Sequence, residues 1–220
     1  MSLFHRDNGS GEVLLLLHGF TGSGDDWRHV FPEPMPGHRV ITPDLPAHGR
    51  SPNPRPDFKF ADVARDVFAM LDELGIGRVK AIGMSAGANT LLHMATQQPD
   101  RVAAMVHVSG TPRFPDQARA IMRGMTADGL ANPDLARYAH AFAEDREDMN
   151  FDSASLGRIT ARTLIVHGDR DPLYPVELAV ELLRGIPHSA LWVVPNGGHG
   201  PIFGEQAAPF VTTATAFLTT

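Results

Sequence analysis

An α/β protein with a largely parallel sheet is predicted by three observations. Short apolar runs of strand length alternate along the chain with stretches of helical periodicity. The leading run is continuous rather than alternating, as in strands buried on both faces. Glycine or proline punctuates most of the boundaries between them.

The elements follow in order. Val13–Leu17 lies between Gly9-Ser10-Gly11 and Gly19; a buried helix can share its composition, but five residues between glycines is strand length. Arg39–Thr42 reads as a strand ending at Pro43-Asp44. Phe60–Leu74 carries Val63, Val67, Phe68, Leu71 and Leu74 on one helical face, with Gly75 as the stop. Val79–Ile82 is a strand and Ala86–Thr96 a helix ended by Pro99. Val102–Val108, Leu164–Val166 and Leu191–Val194 are strands, with helices at Glu177–Leu183 and Gln206–Leu218. Such alternation places helices on both faces of the sheet. Right-handed crossovers then bring the carboxyl ends of the parallel strands to one edge, where sites gather.

The rhythm breaks from Thr111 to about Thr160, where no strand is expected. Phe114–Met125 and Leu135–Phe142 suit short helices separated by Gly129 and Pro133. The stretch is expected to be a small helical cap over residues 111–160, inserted into a core of residues 1–110 and 161–220; a loosely packed excursion is the other reading. No repeat, linker or low-complexity tract is evident.

Bulk properties narrow the function. At 220 residues the chain suffices for one substantial domain. A formal charge of −6 and the lack of a basic run point away from nucleic acid and anionic membranes. The chain has no cysteine, which removes disulfides, thiolate metal sites and cysteine nucleophiles and fits a reducing cytoplasm. The start, Met1–Asp7, lacks the character of a signal peptide, and Val13–Leu17 is too short to span a bilayer. A cytoplasmic protein without membrane insertion is expected.

The chemistry is concentrated in Gly83-Met84-Ser85-Ala86-Gly87, a G-x-S-x-G sequence between a predicted strand and a predicted helix. A serine on so tight a turn projects its hydroxyl above the sheet edge, and a Cβ on either glycine would collide with the neighbouring strand and helix. The free N–H groups at the helix start favour negative charge there. A plain glycine-rich turn with a capping serine is the bland alternative. Serine needs a base to become a nucleophile. Of 11 histidines, His199 is selected by position, in a glycine-flanked loop after the last strand. His18 and His167 end strands and are read as structural; His188 is read as surface. The base needs an acid, and His167-Gly168-Asp169-Arg170-Asp171-Pro172 offers two.

At this point the chain resembles the α/β-hydrolase family. In that family the acid commonly stands three residues after such a glycine and before a proline, a position held here by Asp171, with Asp169 as the runner-up turn residue. His18-Gly19-Phe20-Thr21 is similar to the family's oxyanion loop, so the resemblance implies a hole made by the N–H groups of Phe20 and Ala86. Asp44-Leu45-Pro46-Ala47-His48-Gly49-Arg50-Ser51 resembles its D-x-x-G-x-G-x-S turn, with Ala47 where glycine is usual and Asp44 expected to bond backbone N–H groups. The comparison also suggests a clipped amino terminus with Leu3–Arg6 as an early strand. The order nucleophile, acid, base is the one this fold uses.

The leading expectation is a serine hydrolase for carboxylic esters or thioesters, with Ser85, Asp171 and His199 as triad and neither metal nor organic cofactor. Met84, Met122, Met125, Phe142, Leu173 and Phe203 are candidates to line the substrate pocket, as are Phe114, Tyr138, Met149 and Phe151; apolar residues at helical spacing also simply pack. Arg113, Arg119, Arg123 and Arg137 either meet a substrate carboxylate or form solvated helix faces. Two other readings stay open. One is carbon–carbon bond hydrolysis or a lyase reaction on the same triad, favoured if arginines converge on Ser85. The other is a hydrolase-fold ligand receptor with slow turnover.

Overall fold

A computed structural model describes residues 3–219 apart from 32–34, 53, 54, 56, 127, 129, 131 and 146; the predicted separator Gly129 therefore lies outside the described residues. The described residues form a seven-stranded sheet, β1 (His5–Gly9), β2 (Glu12–Leu17), β3 (His38–Pro43), β4 (Val79–Met84), β5 (Val102–Val108), β6 (Arg162–Gly168) and β7 (Ser189–Val194), in the order β1-β3-β2-β4-β5-β6-β7. Only the pairing of β1 with β3 is antiparallel. The carboxyl ends of β2, β4, β6 and β7 thus share one edge.

The apolar run of β2 shows why the core has two halves. Successive strand side chains point to opposite faces. Leu15 and Leu17 enter the larger cluster, beside α1 (Phe60–Glu73), α2 (Ala86–Gln97) and α6 (Val176–Gly185). Leu14 and Leu16 enter the other, beneath the 3-10 helix Gly24–His29 and α7 (Ala207–Thr219). Helices cover both faces, and every residue of α2 from Ala86 to Thr96 is buried.

The early strand is shifted from the expected Leu3–Arg6 to His5–Gly9, because β3 supplies its pairing from His5↔Pro43 to Gly9↔Arg39. Leu3 is instead buried, and Phe4 is tied to the turn after β3: its N–H donates to Ser51 Oγ at 2.9 Å and its carbonyl accepts the Asp44 N–H at 2.9 Å. An edge strand of polar residues carries no hydrophobic period to read.

Residues 111–160 hold α3 (Asp116–Arg123), α4 (Asp134–Glu144) and α5 (Ser153–Leu156). Their one described β contact is an isolated bridge, Arg113↔Asn150. The insertion is anchored to the sheet domain. Phe142 stacks on Phe60 at 4.9 Å between ring centres and meets Phe58 edge-on at 4.6 Å. Asn132 Nδ2 donates to the Ala47 carbonyl at 2.7 Å. The Asp148 carboxylate accepts the N–H groups of Phe60 (2.5 Å) and Ala61 (3.1 Å), capping α1, whose own N-cap residue, Lys59, makes no side-chain cap bond.

The serine turn is built by close approach. A Cβ on Gly83 would stand 2.5 Å from the Gly87 carbonyl oxygen, and one on Gly87 would stand 2.2 Å from that of Leu17. Both obstacles are backbone and cannot rotate away. Gly87→Ala is therefore expected to push α2 off β2 and cost about 3 kcal/mol, read as a lowered urea midpoint; an unchanged midpoint would show that the helix has room to spare.

Four buried histidines make stability depend on pH. Burial pushes His18 and His93 down to about 4, and His48 and His107 down to about 3. Each stays neutral in the folded chain while the unfolded chain takes up its proton below about 6.5. Their contribution is complete above that value and declines as pH falls toward 4 and 3. The expected slope is up to about 1.4 kcal/mol per pH unit for each histidine. Urea unfolding at pH 7.5 and pH 5.5 tests this; equal stabilities would contradict it.

Candidate active site

Ser85 stands between β4 and α2 with φ 51° and ψ −111°, a left-handed backbone that costs a non-glycine residue roughly 1–3 kcal/mol. Its N–H donates to the Val108 carbonyl at 2.8 Å, which holds the turn to β5. The Oγ lies 2.8 Å from His199 Nε2. On the other side of the ring, His199 Nδ1 lies 2.8 Å from Asp171 Oδ2. A carboxylate only accepts, so Nδ1 carries the proton and the Nε2 lone pair faces the serine hydroxyl. The three residues come from three strand ends and form one continuous hydrogen-bonded chain.

Asp171 is held from several directions. Its Oδ1 accepts the N–H groups of Leu173 (2.8 Å) and Tyr174 (3.1 Å). Burial pushes this carboxyl up, but the His199 hydrogen bond and charge, with those two N–H groups, outweigh it and hold the group below the usual aspartate range. Asp169 is exposed and makes no side-chain bond to the site, as befits a turn residue. His167 Nε2 donates to the Tyr174 carbonyl at 2.9 Å, and the Tyr174 ring meets His199 edge-on at 5.3 Å. Tyr174 is thus a supporting residue that sequence reasoning passed over; the proline-bounded Pro172-Leu173-Tyr174-Pro175 turn was its only signal.

The loop after β2 completes the edge. A Cβ on Gly19 would stand 3.6 Å from Ser85 Cβ, so this backbone runs directly beside the serine. His18 Nδ1 donates to the Gly19 carbonyl at 2.7 Å, and the Gly22 N–H donates to the same oxygen at 3.2 Å. Since His18 Nδ1 donates, its Nε2 is the acceptor, and it takes the Leu45 N–H at 2.9 Å. Among the described residues no acceptor takes the N–H of Phe20 or of Ala86. Behind the loop, the buried Asp44 accepts the N–H groups of Gly24 and Arg50, each at 2.8 Å. His188 is exposed.

A cleft of about 260 Å³ opens beside Gly19 and Phe20, with Met84, Phe203, Trp27 and Asp26 among its walls. Of the six candidates for the substrate pocket, Met84 and Phe203 line this cleft. Met122 and Phe142 are instead buried in the core cluster, and Met125 and Leu173 pack against it. Phe114, Tyr138, Met149 and Phe151 are buried there too. The reason is that aromatic side chains from α1, from α4 and from Phe114 ahead of α3 consume one another's surface; Phe142 meets Phe20 edge-on at 5.1 Å. Asp26 and Trp27 were not foreseen, because the 3-10 helix carrying them has no period to read. A second cavity, of about 240 Å³, lies across Trp27 and away from Ser85.

None of the four arginines considered as carboxylate partners, Arg113, Arg119, Arg123 and Arg137, meets Ser85. Arg113 pairs with Glu181, Arg123 with Glu144 and Arg137 with Asp134. Arg119 is buried and donates to the carbonyls of Phe114, Phe142, Ala143 and Asp145. Among the described residues, no helix is long and apolar enough to cross a membrane.

Comparison with known proteins agrees with this architecture. The chain matches a family described as alpha/beta hydrolase fold over residues 12–150, and one described as TAP-like protein over residues 143–220. The 2-hydroxy-6-oxononadienedioate/2-hydroxy-6-oxononatrienedioate hydrolase 2 of Pseudomonas putida is 28% identical, covering 99% of this chain and 92% of that protein. Protein PHYLLO, chloroplastic, of Arabidopsis thaliana is 29% identical over 147 residues, which are 63% of this chain; the match spans only 9% of PHYLLO's length. A thermophilic esterase from Thermogutta terrifontis superposes with a TM-score of 0.84 at 24% identity, over 99% of this chain and 93% of its own, a likeness of fold. With most of its length matched and its sheet, helices and serine turn arranged as described, the chain belongs to the α/β-hydrolase family.

Proposed function

We propose that the protein is a serine hydrolase that cleaves carboxylic esters or thioesters through an acyl-enzyme on Ser85. The carrying observation is the unbroken chain Ser85–His199–Asp171, with both links at 2.8 Å. His199 Nε2 takes the Ser85 proton as Oγ attacks the carbonyl carbon, and Asp171 stabilises the resulting imidazolium. The oxyanion lies against the N–H groups of Phe20 and Ala86, whose freedom from other acceptors supports this role. Collapse breaks the bond to the alcohol or thiol, which leaves with the proton from Nε2. Water then attacks the acyl-enzyme by the same route and returns the serine. We assign residues 111–160 the role of a cap, supported by the contact of Phe142 with Phe20.

Hydrolysis of a carbon–carbon bond is the second reading. The Pseudomonas putida relative favours it, since its name is that of a hydrolase of oxo-dienedioates. Against it, Arg113, Arg119, Arg123 and Arg137 are occupied elsewhere, and none of the described walls of the cleft is a lysine or an arginine to meet a dioate.

A screen of p-nitrophenyl esters and acyl thioesters of graded length tests the assignment. Turnover is expected on short and medium chains, and Ser85→Ala should lower kcat about 10⁴-fold or more. Full activity in that variant would refute the nucleophile. Multiple turnovers would separate an enzyme from a receptor with slow hydrolysis. Asp171→Asn should cost about 10⁴-fold in kcat. Asp169→Asn should change it less than about threefold, being exposed and unbonded to the site. The reverse result would exchange the two acids.

A further inference from the structure

The cleft walled by Met84 and by Gly19, whose backbone passes Ser85, carries one formal charge among its described walls, and that charge is negative. Asp26 supplies it. The carboxylate is fixed in place: Oδ2 accepts the Ser23 N–H at 3.1 Å and presses so closely on Gly22 that a Cβ there would stand 2.2 Å from it. No cation pairs with Asp26 among the described residues, whereas its neighbour Asp25 is bound by both Arg6 and Arg50. His18, the other titratable wall residue, is pushed by burial down to about 4 and is neutral at physiological pH. The remaining walls include Phe20, Trp27, Phe203 and Met84. Aromatic faces attract cations and give nothing to an anion.

We propose that this cleft selects substrates by charge, taking ester groups that are uncharged or end in an ammonium and rejecting those that end in a carboxylate, with Asp26 as the selecting residue. The inference rests on the serine hydrolase reading and adds its substrate class. A unit charge held roughly 7 Å from Asp26 at an effective dielectric constant of about 40 is favoured or disfavoured about tenfold. An ammonium and a carboxylate at that place are thus separated by about a hundredfold.

Two ester series test it. One carries the terminal group on the acyl chain of p-nitrophenyl esters; the other carries it on the alcohol of acetates. Each ends in tert-butyl, trimethylammonium or carboxylate, so shape is nearly constant while charge changes. In at least one series kcat/KM should fall from ammonium to carboxylate by tenfold or more. Asp26→Asn, which keeps an acceptor for the Ser23 N–H, should bring that ratio close to one, and Asp26→Glu should largely retain it. High salt should reduce the ratio as well. If the ratio is the same in wild type and Asp26→Asn for both series, the inference fails while turnover of the neutral ester leaves the hydrolase reading standing. If no ester or thioester is turned over, both fall together.

Discussion

The hydrogen bond between Asp171 and His199 is the contact on which the rest of the site depends. It works because a buried carboxyl is kept ionised, against the desolvation that burial imposes. Two backbone N–H groups, from Leu173 and Tyr174, occupy one oxygen and leave the other for the imidazole. Were that carboxyl protonated or turned aside, Nδ1 would lose its acceptor and the tautomer its cause. The Nε2 lone pair would then no longer be fixed on Ser85. The support is laid beneath the acid: His167 holds the Tyr174 carbonyl from the end of β6.

Bringing His199 and Asp171 together takes glycine at a point where two loops nearly touch. A Cβ on Gly168 would stand 2.3 Å from the Gly197 carbonyl oxygen, so the end of β6 and the loop after β7 approach to backbone contact. The serine corner uses the same device at Gly83 and Gly87 and adds strain at Ser85 itself. Close packing over-determines a backbone that the residue would not choose. Stability is given up locally so that a hydroxyl stands clear of the sheet edge, with the amino end of α2 behind it.

The insertion contributes by packing more than by contact with the reacting groups. Its aromatic side chains bury one another and those of α1, and Asp148 caps α1 across 87 residues of sequence. Phe142 backs Phe20, so the insertion braces the loop whose Gly19 backbone runs beside the serine. Arg113, Arg123 and Arg137 are drawn into ion pairs, and Arg119 into a cradle of carbonyls. The cleft that opens at Gly19 and Met84 is walled largely by apolar side chains, and its described charge is a lone carboxylate.

The local grammar of the chain was sufficient for six of the seven described strands. Continuous apolar runs between glycines, helical stripes and their stops specify β2 to β7, α1, α2, α6 and α7 within a few residues, because burial on two faces or one leaves a periodic trace. Motif spacing likewise singled out Ser85, Asp171 and His199, since tight turns at strand ends demand glycine and proline in fixed places. The edge strand β1 left no such trace; its place is set by pairing with β3. Whether Met122 and Phe142 line a pocket or fill a core was equally illegible, because an apolar side chain looks the same in either role. Nor could residue order reveal that Arg113, Arg119, Arg123 and Arg137 turn elsewhere or that Asp26 enters the cleft. Those outcomes depend on which surfaces meet across long sequence separations, and only the assembled chain decides that.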